Sequence, residues 1–424
     1  MNPYTLIIDT SLVVILSFFF GEIAKRTNIP AVLMLIFLGI AMQSLLDFLE
    51  LRDYDFFPIL EVLGIIGLIM IVLEAALELE LKPEKYLPIA KSFVIALGGL
   101  FLSAWAAASI LRFFIPEMSV LSAWIYATPL SILSSAIIIP SVSDLRLDKK
   151  EFHIYESTFS DILGIMLFYF LTGQIEHAAA GGEHGNGLAG FAGTTLLTIV
   201  VSLVASYAIL LVFQQIKSHT KLFLLIAVLL LLYAIGKQLH LSSLIIILVF
   251  GLVIANMKLF FQGPIKRYLN LRKAHQIYEG LHVITMETAF VVRTFFFVVF
   301  GLTISLASLL DPVVALISLL IIASIYLVRF VLLRLLVGKD ILPQLFIAPR
   351  GLITVLLFYA IPETAMVEGF KPGILLFLII GTSLVMTVAM VWEKQRSGKA
   401  IKKAEANAVG YAKWRAPKVD ELLE

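Results

Sequence analysis

Residues 129–140 read Pro129-Leu-Ser-Ile-Leu-Ser134-Ser135-Ala-Ile-Ile-Ile-Pro140, inside a charge-free run from Met118 to Ser143. The run exceeds the roughly 18 to 20 apolar residues needed to cross the hydrocarbon of a bilayer. It nevertheless carries two prolines and three serines at a depth where lipid offers no hydrogen-bond partner. Two other stretches set in apolar surroundings do the same: Glu156 to Asp161, and Pro349-Arg350-Gly351. A charge at the centre of a membrane helix costs about 2.5 to 3.5 kcal/mol even on lenient insertion scales, so such groups are kept for a partner or a task.

Composition sets the frame for these stretches. Of the 424 residues, 60% are hydrophobic and only 15% charged, with a mean hydropathy of +1.00. No water-soluble globular chain sustains that balance, so the chain reads as an all-α polytopic membrane protein. The absence of cysteine excludes disulfides and thiolate metal sites. There is no phosphate-cradling loop, nucleophile elbow or zinc-binding helix motif. No cofactor and no nucleic-acid partner are therefore expected. An enzyme is not expected either, because no base accompanies the membrane serines.

Apolar windows read against glycine, proline and charge punctuation predict thirteen spans. They fall near 4–22, 30–49, 58–80, 92–113, 121–142, 153–174, 190–213, 221–236, 242–257, 276–305, 313–336, 341–361 and 372–393. Span 1 lacks a basic leader and a cleavage site, and reads as a retained helix. Connections after odd-numbered spans hold seventeen Lys and Arg; those after even-numbered spans hold four, Arg52, Arg112, Lys237 and Lys371. Cytoplasmic loops are the basic ones. The N-terminus is therefore expected outside the cell membrane, and the short basic tail, 394–424, in the cytoplasm.

Spans 5 and 12 are both broken, the first by Pro129 and Pro140 and the second by Pro343 and Pro349. They lie seven spans apart and so run in opposite directions. That spacing predicts one transporter domain over 1–393, with inverted repeats at about 1–175 and 219–393 joined by span 7. A substrate site is expected where the broken helices cross. The plainer reading is that prolines simply kink packed helices.

Asp161 lies about ten residues into span 6, roughly 15 Å deep at 1.5 Å per residue. Ser157 is one turn earlier on the same face, and Ser160 adjoins the aspartate. A carboxylate among hydroxyls, facing Ser134 and Ser135 of the broken span 5, suits a small hard cation or a proton, but not both at once. A monovalent cation held by Asp161 and Ser157 is the metal-like ligand expected. Glu74 of span 3 either lines the same path or pairs with Arg293. Glu156 and Arg350 sit at matching depth and read as a structural ion pair, with Glu156 as carrier the competing reading. Arg329 reads as snorkelling to the interface. His275, Glu279 and His282 recur at i, i+4 and i+7 near the start of span 10, as either a pH-sensing face or a plain solvated one.

These residues together resemble the cation:proton antiporter superfamily over almost the whole membrane region. Ile29-Pro30 through Gly39 resembles its second helix, and Val72-Leu73-Glu74-Ala75 the acidic third-helix motif of the sodium/proton exchanger branch. Glu156-Ser157 followed by Ser160-Asp161 resembles that branch's Glu-Ser then Asn-Asp. Pro349-Arg350-Gly351 resembles its Leu-Arg-Gly, and Phe295 through Gly301 its tenth helix. Ser134-Ser135-Ala136-Ile137 is closer to the Ser-Ser-Thr-Ala of the potassium-efflux branch, and Ser160 replaces the usual Asn.

The resemblance implies antiport of a monovalent cation, sodium before potassium or lithium, against protons. It implies Asp161 as the ion and proton carboxylate, Ser157 as a ligand and Glu156–Arg350 as a stabilising pair. It further implies a homodimer working by an elevator form of alternating access. Because Ser160 cannot ionise, it implies electroneutral exchange. A carrier of an organic solute or anion on the same scaffold, and a non-transporting membrane sensor, are the alternatives.

Overall fold

The computed structural model describes residues 11–407 other than 13, 21, 24–30, 49–56, 80, 82, 143–144, 180–186, 217–220, 240, 242, 263–269 and 304–310. The start of span 1 and the end of the basic tail lie outside the described residues. All regular structure among those residues is helical. After a helical segment within 11–23 come α1 (Ala31–Phe48), α2 (Phe57–Glu78), α3 (Tyr86–Phe114), α4 (Val120–Ser131) and α5 (Ser135–Ser141). They are followed by α6 (Leu147–Ala179), α7 (Gly187–Phe213), α8 (Lys221–Gln238) and α9 (Ser243–Ala255). The chain continues through α10 (Leu271–Thr303), α11 (Pro312–Leu336), α12 (Leu352–Tyr359) and α13 (Gly373–Asn407). Eight helical segments among the described residues are long and apolar enough to cross a membrane, Val120–Ser141 among them despite its interruption. The fold is that of a polytopic all-α membrane protein.

Packing sorts the helices into two sets. In one, α10 lies along α1 and α2, and α9 packs on α2, α7 and α8. In the other, α3 packs on α4, α6 and α11, α11 on α13, and the broken pieces α5 and α12 fill the middle against α6 and α4. Contact between the sets is sparse and runs mainly from α2 to α6 and α12. Lipid-facing helices gain little from hydrophobicity against one another, so close backbone approach carries their association. The α1–α10 crossing shows this: a Cβ on Gly39 would meet the Val298 carbonyl at 2.2 Å, and one on Gly301 the Ile36 carbonyl at 2.4 Å.

Span 5 is broken as expected, with α4 and α5 separated by the extended residues Ile132, Leu133 and Ser134. Span 12 differs from its expectation. Only α12 is helical, and 341–351 is a run of turns and extended chain. Pro343 and Pro349 each lack an N–H, and no helix runs through both within seven residues. At the other end, α13 continues past Trp392 to Asn407. Residues 393–407 are rich in Lys, Ala and Glu, which favour helix once the bilayer is left behind. The N-cap of α11 is Asp311, whose side chain accepts from the Val313 and Val314 N–H groups and pairs with Lys371. The Lys371 ammonium and the Val313 N–H hold its carboxyl below the usual range.

Gly39→Val should overpack the α1–α10 crossing and cost about 1 to 3 kcal/mol. Gly173→Ala, where nothing lies within 4 Å of the new Cβ, should not lower stability. Thermal unfolding of the purified variants in detergent checks both.

Candidate functional site

The break in span 5 leaves backbone groups that lipid cannot satisfy, and the chain provides partners for them from three directions. The Ser134 N–H donates to the Pro349 carbonyl at 2.9 Å, which ties the two broken segments together where they cross. The Leu133 N–H donates to Ser160 Oγ at 3.0 Å. Carbonyls at the end of α4 go to the Arg350 guanidinium: Nε to Leu130 O at 2.9 Å and Nη2 to Ser131 O at 3.2 Å, with Nη1 on Ala348 O at 2.6 Å. A cation at a helix C-terminus also meets the favourable end of the helix dipole. The approach is tight enough to require glycine beside the arginine, since a Cβ on Gly351 would lie 2.4 Å from Ser134 Oγ.

The irregular run 341–351 is accounted for in the same way. Lys149 reaches the Leu342 carbonyl, and its Nζ is 2.8 Å from Asp340 Oδ1. Arg329 Nε donates to Gln344 O at 2.9 Å, and the Arg350 N–H to Thr382 Oγ1 at 3.0 Å. Backbone that has left its helix persists at this depth because side chains of α6, α11 and α13 replace the missing partners.

The ion pair expected between Glu156 and Arg350 is not formed. Glu156 binds Arg329 instead, in a two-pronged contact at 2.6 and 2.8 Å, with all of it buried. Depth along the spans could not separate the two arginines, and the carbonyls freed at the end of α4 decide between them by claiming Arg350. Arg329, 7% exposed, is likewise not a snorkelling side chain. His153 Nδ1 stands 3.4 Å from Glu156 Oε2.

Asp161 is buried on a different side of α6, and neither of its carboxylate oxygens has a hydrogen-bond partner among the described residues. Ser135, at the start of α5, turns its hydroxyl and backbone N–H toward the carboxylate without closing a hydrogen bond. Asp161 opens on a narrow cleft of about 10 Å³ whose other walls are apolar, with Ile71, Val72 and Ala75 from α2, Leu244 and Leu248 from α9, and Ile353 from α12. Ser157 Oγ donates to His153 O at 2.7 Å, which leaves its lone pairs able to meet a cation. Ser160 is used differently from its expected role as an ion ligand. Its oxygen accepts from Leu133, so it serves the backbone of the break.

The remaining expected residues lie farther out. Ser134 is committed to the crossing with Pro349 and Gly351. Glu74 does not line the Asp161 cleft and stands 3.4 Å from Arg293. His275 Nε2 is 3.2 Å from Glu279 Oε1 on the exposed start of α10, and the Tyr278 ring stacks between His275 and His282. A second small cavity, about 20 Å³, lies between α3, α4, α6 and α11, bordered by Glu156, Arg329, Arg350 and Ser160.

With a lone buried carboxylate beside two crossed, broken membrane segments, the family model described as "Sodium/hydrogen exchanger, transmembrane" matches residues 13–394. The chain belongs to this family. Its fold is similar to that of the sodium proton antiporter MjNhaP1 from Methanocaldococcus jannaschii. The structure of that antiporter at pH 8 aligns with a TM-score of 0.67 at 21% identity, over 93% of this chain and 99% of that one. An electron-microscopy structure of the same antiporter gives a TM-score of 0.66 at 19% identity, over 98% and 100%. No curated protein matches the chain.

For this exchanger-family chain, the assignment of its buried charges is testable by a double-mutant cycle in unfolding. Glu156→Ala or Arg329→Ala alone should cost about 3 to 5 kcal/mol, since each strands the other charge. The double variant should cost clearly less than the sum. Glu156→Ala with Arg350→Ala should couple less strongly than Glu156→Ala with Arg329→Ala, because Glu156 and Arg350 share a cavity but no bond.

Proposed function

We propose that the protein is a secondary antiporter that exchanges a monovalent cation, sodium first, for protons across the cell membrane. The observation that carries this reading is Asp161, a buried carboxylate that faces Ser135 and has no hydrogen-bond partner among the described residues, set between a cleft and the crossing of the broken segments. Burying a carboxylate without a partner is costly, so in the working protein it holds either a proton or a cation. The two compete for the same oxygens, and that competition is antiport. Ser157 supplies a further oxygen one turn away.

The sparse contact between the two helix sets supports an elevator movement, in which the set carrying Asp161 shifts against α1, α2 and α7–α10. The basic connections support an N-terminus outside and a C-terminus in the cytoplasm. Family membership supports a homodimer. With Ser160 in place of a second ionisable group, one carboxylate trades one proton for one cation, and exchange is electroneutral.

Reconstituted in proteoliposomes with an internal pH dye, the parent should show sodium-dependent proton movement, and Asp161→Asn should reduce it to background while melting as a folded protein. Retained exchange in that variant would remove Asp161 from the mechanism. A potassium-diffusion potential set with valinomycin should leave the parent's sodium rate unchanged. Acceleration by the potential would show net charge movement and rule out one-for-one exchange.

A further inference from the structure

Arg293 belongs to α10, yet its guanidinium reaches across the boundary between the two helix sets. Nη1 donates to the Ala136 carbonyl of α5 at 3.0 Å, and Nη2 stands 3.4 Å from Oε2 of Glu74 in α2. The Ala136 carbonyl is available because the residue four further on, its normal helical donor, is Pro140. Nε of Arg293 is buried with no partner among the described residues. Arg329 and Arg350 are held differently, each by three good hydrogen bonds within one helix set. The loosely held arginine is thus the one that spans the boundary, one residue from the Ser135 that faces Asp161.

We infer that Arg293 is a conformational latch: its bond to the Ala136 carbonyl holds the Asp161-bearing helices against α10 in the arrangement seen here, and breaks when those helices move. The inference rests on the antiport reading with its moving helix set. Its physical logic is a choice between two partners. Glu74 lies in the same set as Arg293, and their 3.4 Å separation is longer than the 2.7 to 2.9 Å of a closed charge-assisted bond. When Ala136 departs, the guanidinium closes on Glu74, so no charge is stranded in either state. Two discrete arrangements of one side chain supply the bistable element that a two-state movement requires. Arg293 is then a positioning residue. It touches no substrate, and sets how often the Asp161 cleft has the form seen here.

The chain contains no cysteine, so Ala75→Cys, on the cleft wall opposite Asp161, gives a single reporter. Ala75 is buried in the arrangement seen here, so a small water-soluble thiol reagent reaches position 75 only when that arrangement is left. Its modification should speed up about tenfold when Arg293→Gln is added, a population shift of about 1.4 kcal/mol. Arg293→Lys keeps the charge and one set of donors and should speed it less, by about threefold. A residue that only props the fold would lower the melting temperature without moving the labelling rate. An unchanged or slower rate in folded Arg293→Gln overturns the latch. If that variant does not fold, an unchanged or slower rate in Arg293→Lys does so. A parent protein that shows no cation-dependent proton movement in proteoliposomes defeats the antiport reading, and the latch with it. A parent that exchanges while its Arg293 variants label at the parent rate defeats the latch alone.

Discussion

A peptide carbonyl released from a helix inside a bilayer must find its donor within the protein, and at the end of α4 that donor is Arg350. The constraint propagates outward from there. Arg350 can cap Leu130 and Ser131 only if the second broken segment passes directly beside the first, and the Ser134 to Pro349 hydrogen bond fixes that passage. Gly351 and the run of chain from 341 to 351 follow from the closeness of the crossing. Thr382, Lys149 and Arg329 are drawn in to satisfy the backbone that the second break exposes.

Once Arg350 is committed to carbonyls, the charges on α6 separate into two kinds. Glu156 is closed off by Arg329 on one side of the helix. Asp161, five residues on, is left on another side, with no cationic side chain bonded to it among the described residues. Burying a matched pair adds rigidity at small net gain in stability. Leaving one carboxylate unmatched gives up stability at the position where the proposed exchange needs a group that can change partners. Structure and function here differ by a single allocation of two arginines between a carboxylate and a set of carbonyls.

Much of this was legible in the sequence because bilayer physics is strict. Proline and serine in the run 129–140, the carboxylates at 156 and 161, and Pro349-Arg350-Gly351 marked the breaks and the buried polar groups. The loop charges supported the expected order of spans. What misled was bookkeeping by depth. Depth alone pairs Glu156 with Arg350, yet Arg329, seven residues from the end of span 11, lies within reach of the same carboxylate. The discriminating signal was also present, since a helix interrupted at Ser131 leaves carbonyls that need a donor, and an arginine next to a proline and a glycine is placed to supply it. Ser160 misled similarly. Adjacent to Asp161 in sequence, it points to the break on the other side of α6, because neighbours in a helix do not share a face. The turn structure of 341–351 was indicated by Pro343 and Pro349, but the depth of the apolar window concealed it.

The central claim is that one unpartnered carboxylate holds a proton and a cation in turn, and counting protons as the cation binds tests it most directly. Purified protein in weakly buffered detergent solution, titrated with sodium chloride against a choline chloride control, should release one proton per protomer at saturation, and the Asp161→Asn variant should release none. Sodium binding without proton release, or the same release from the variant, would contradict the account.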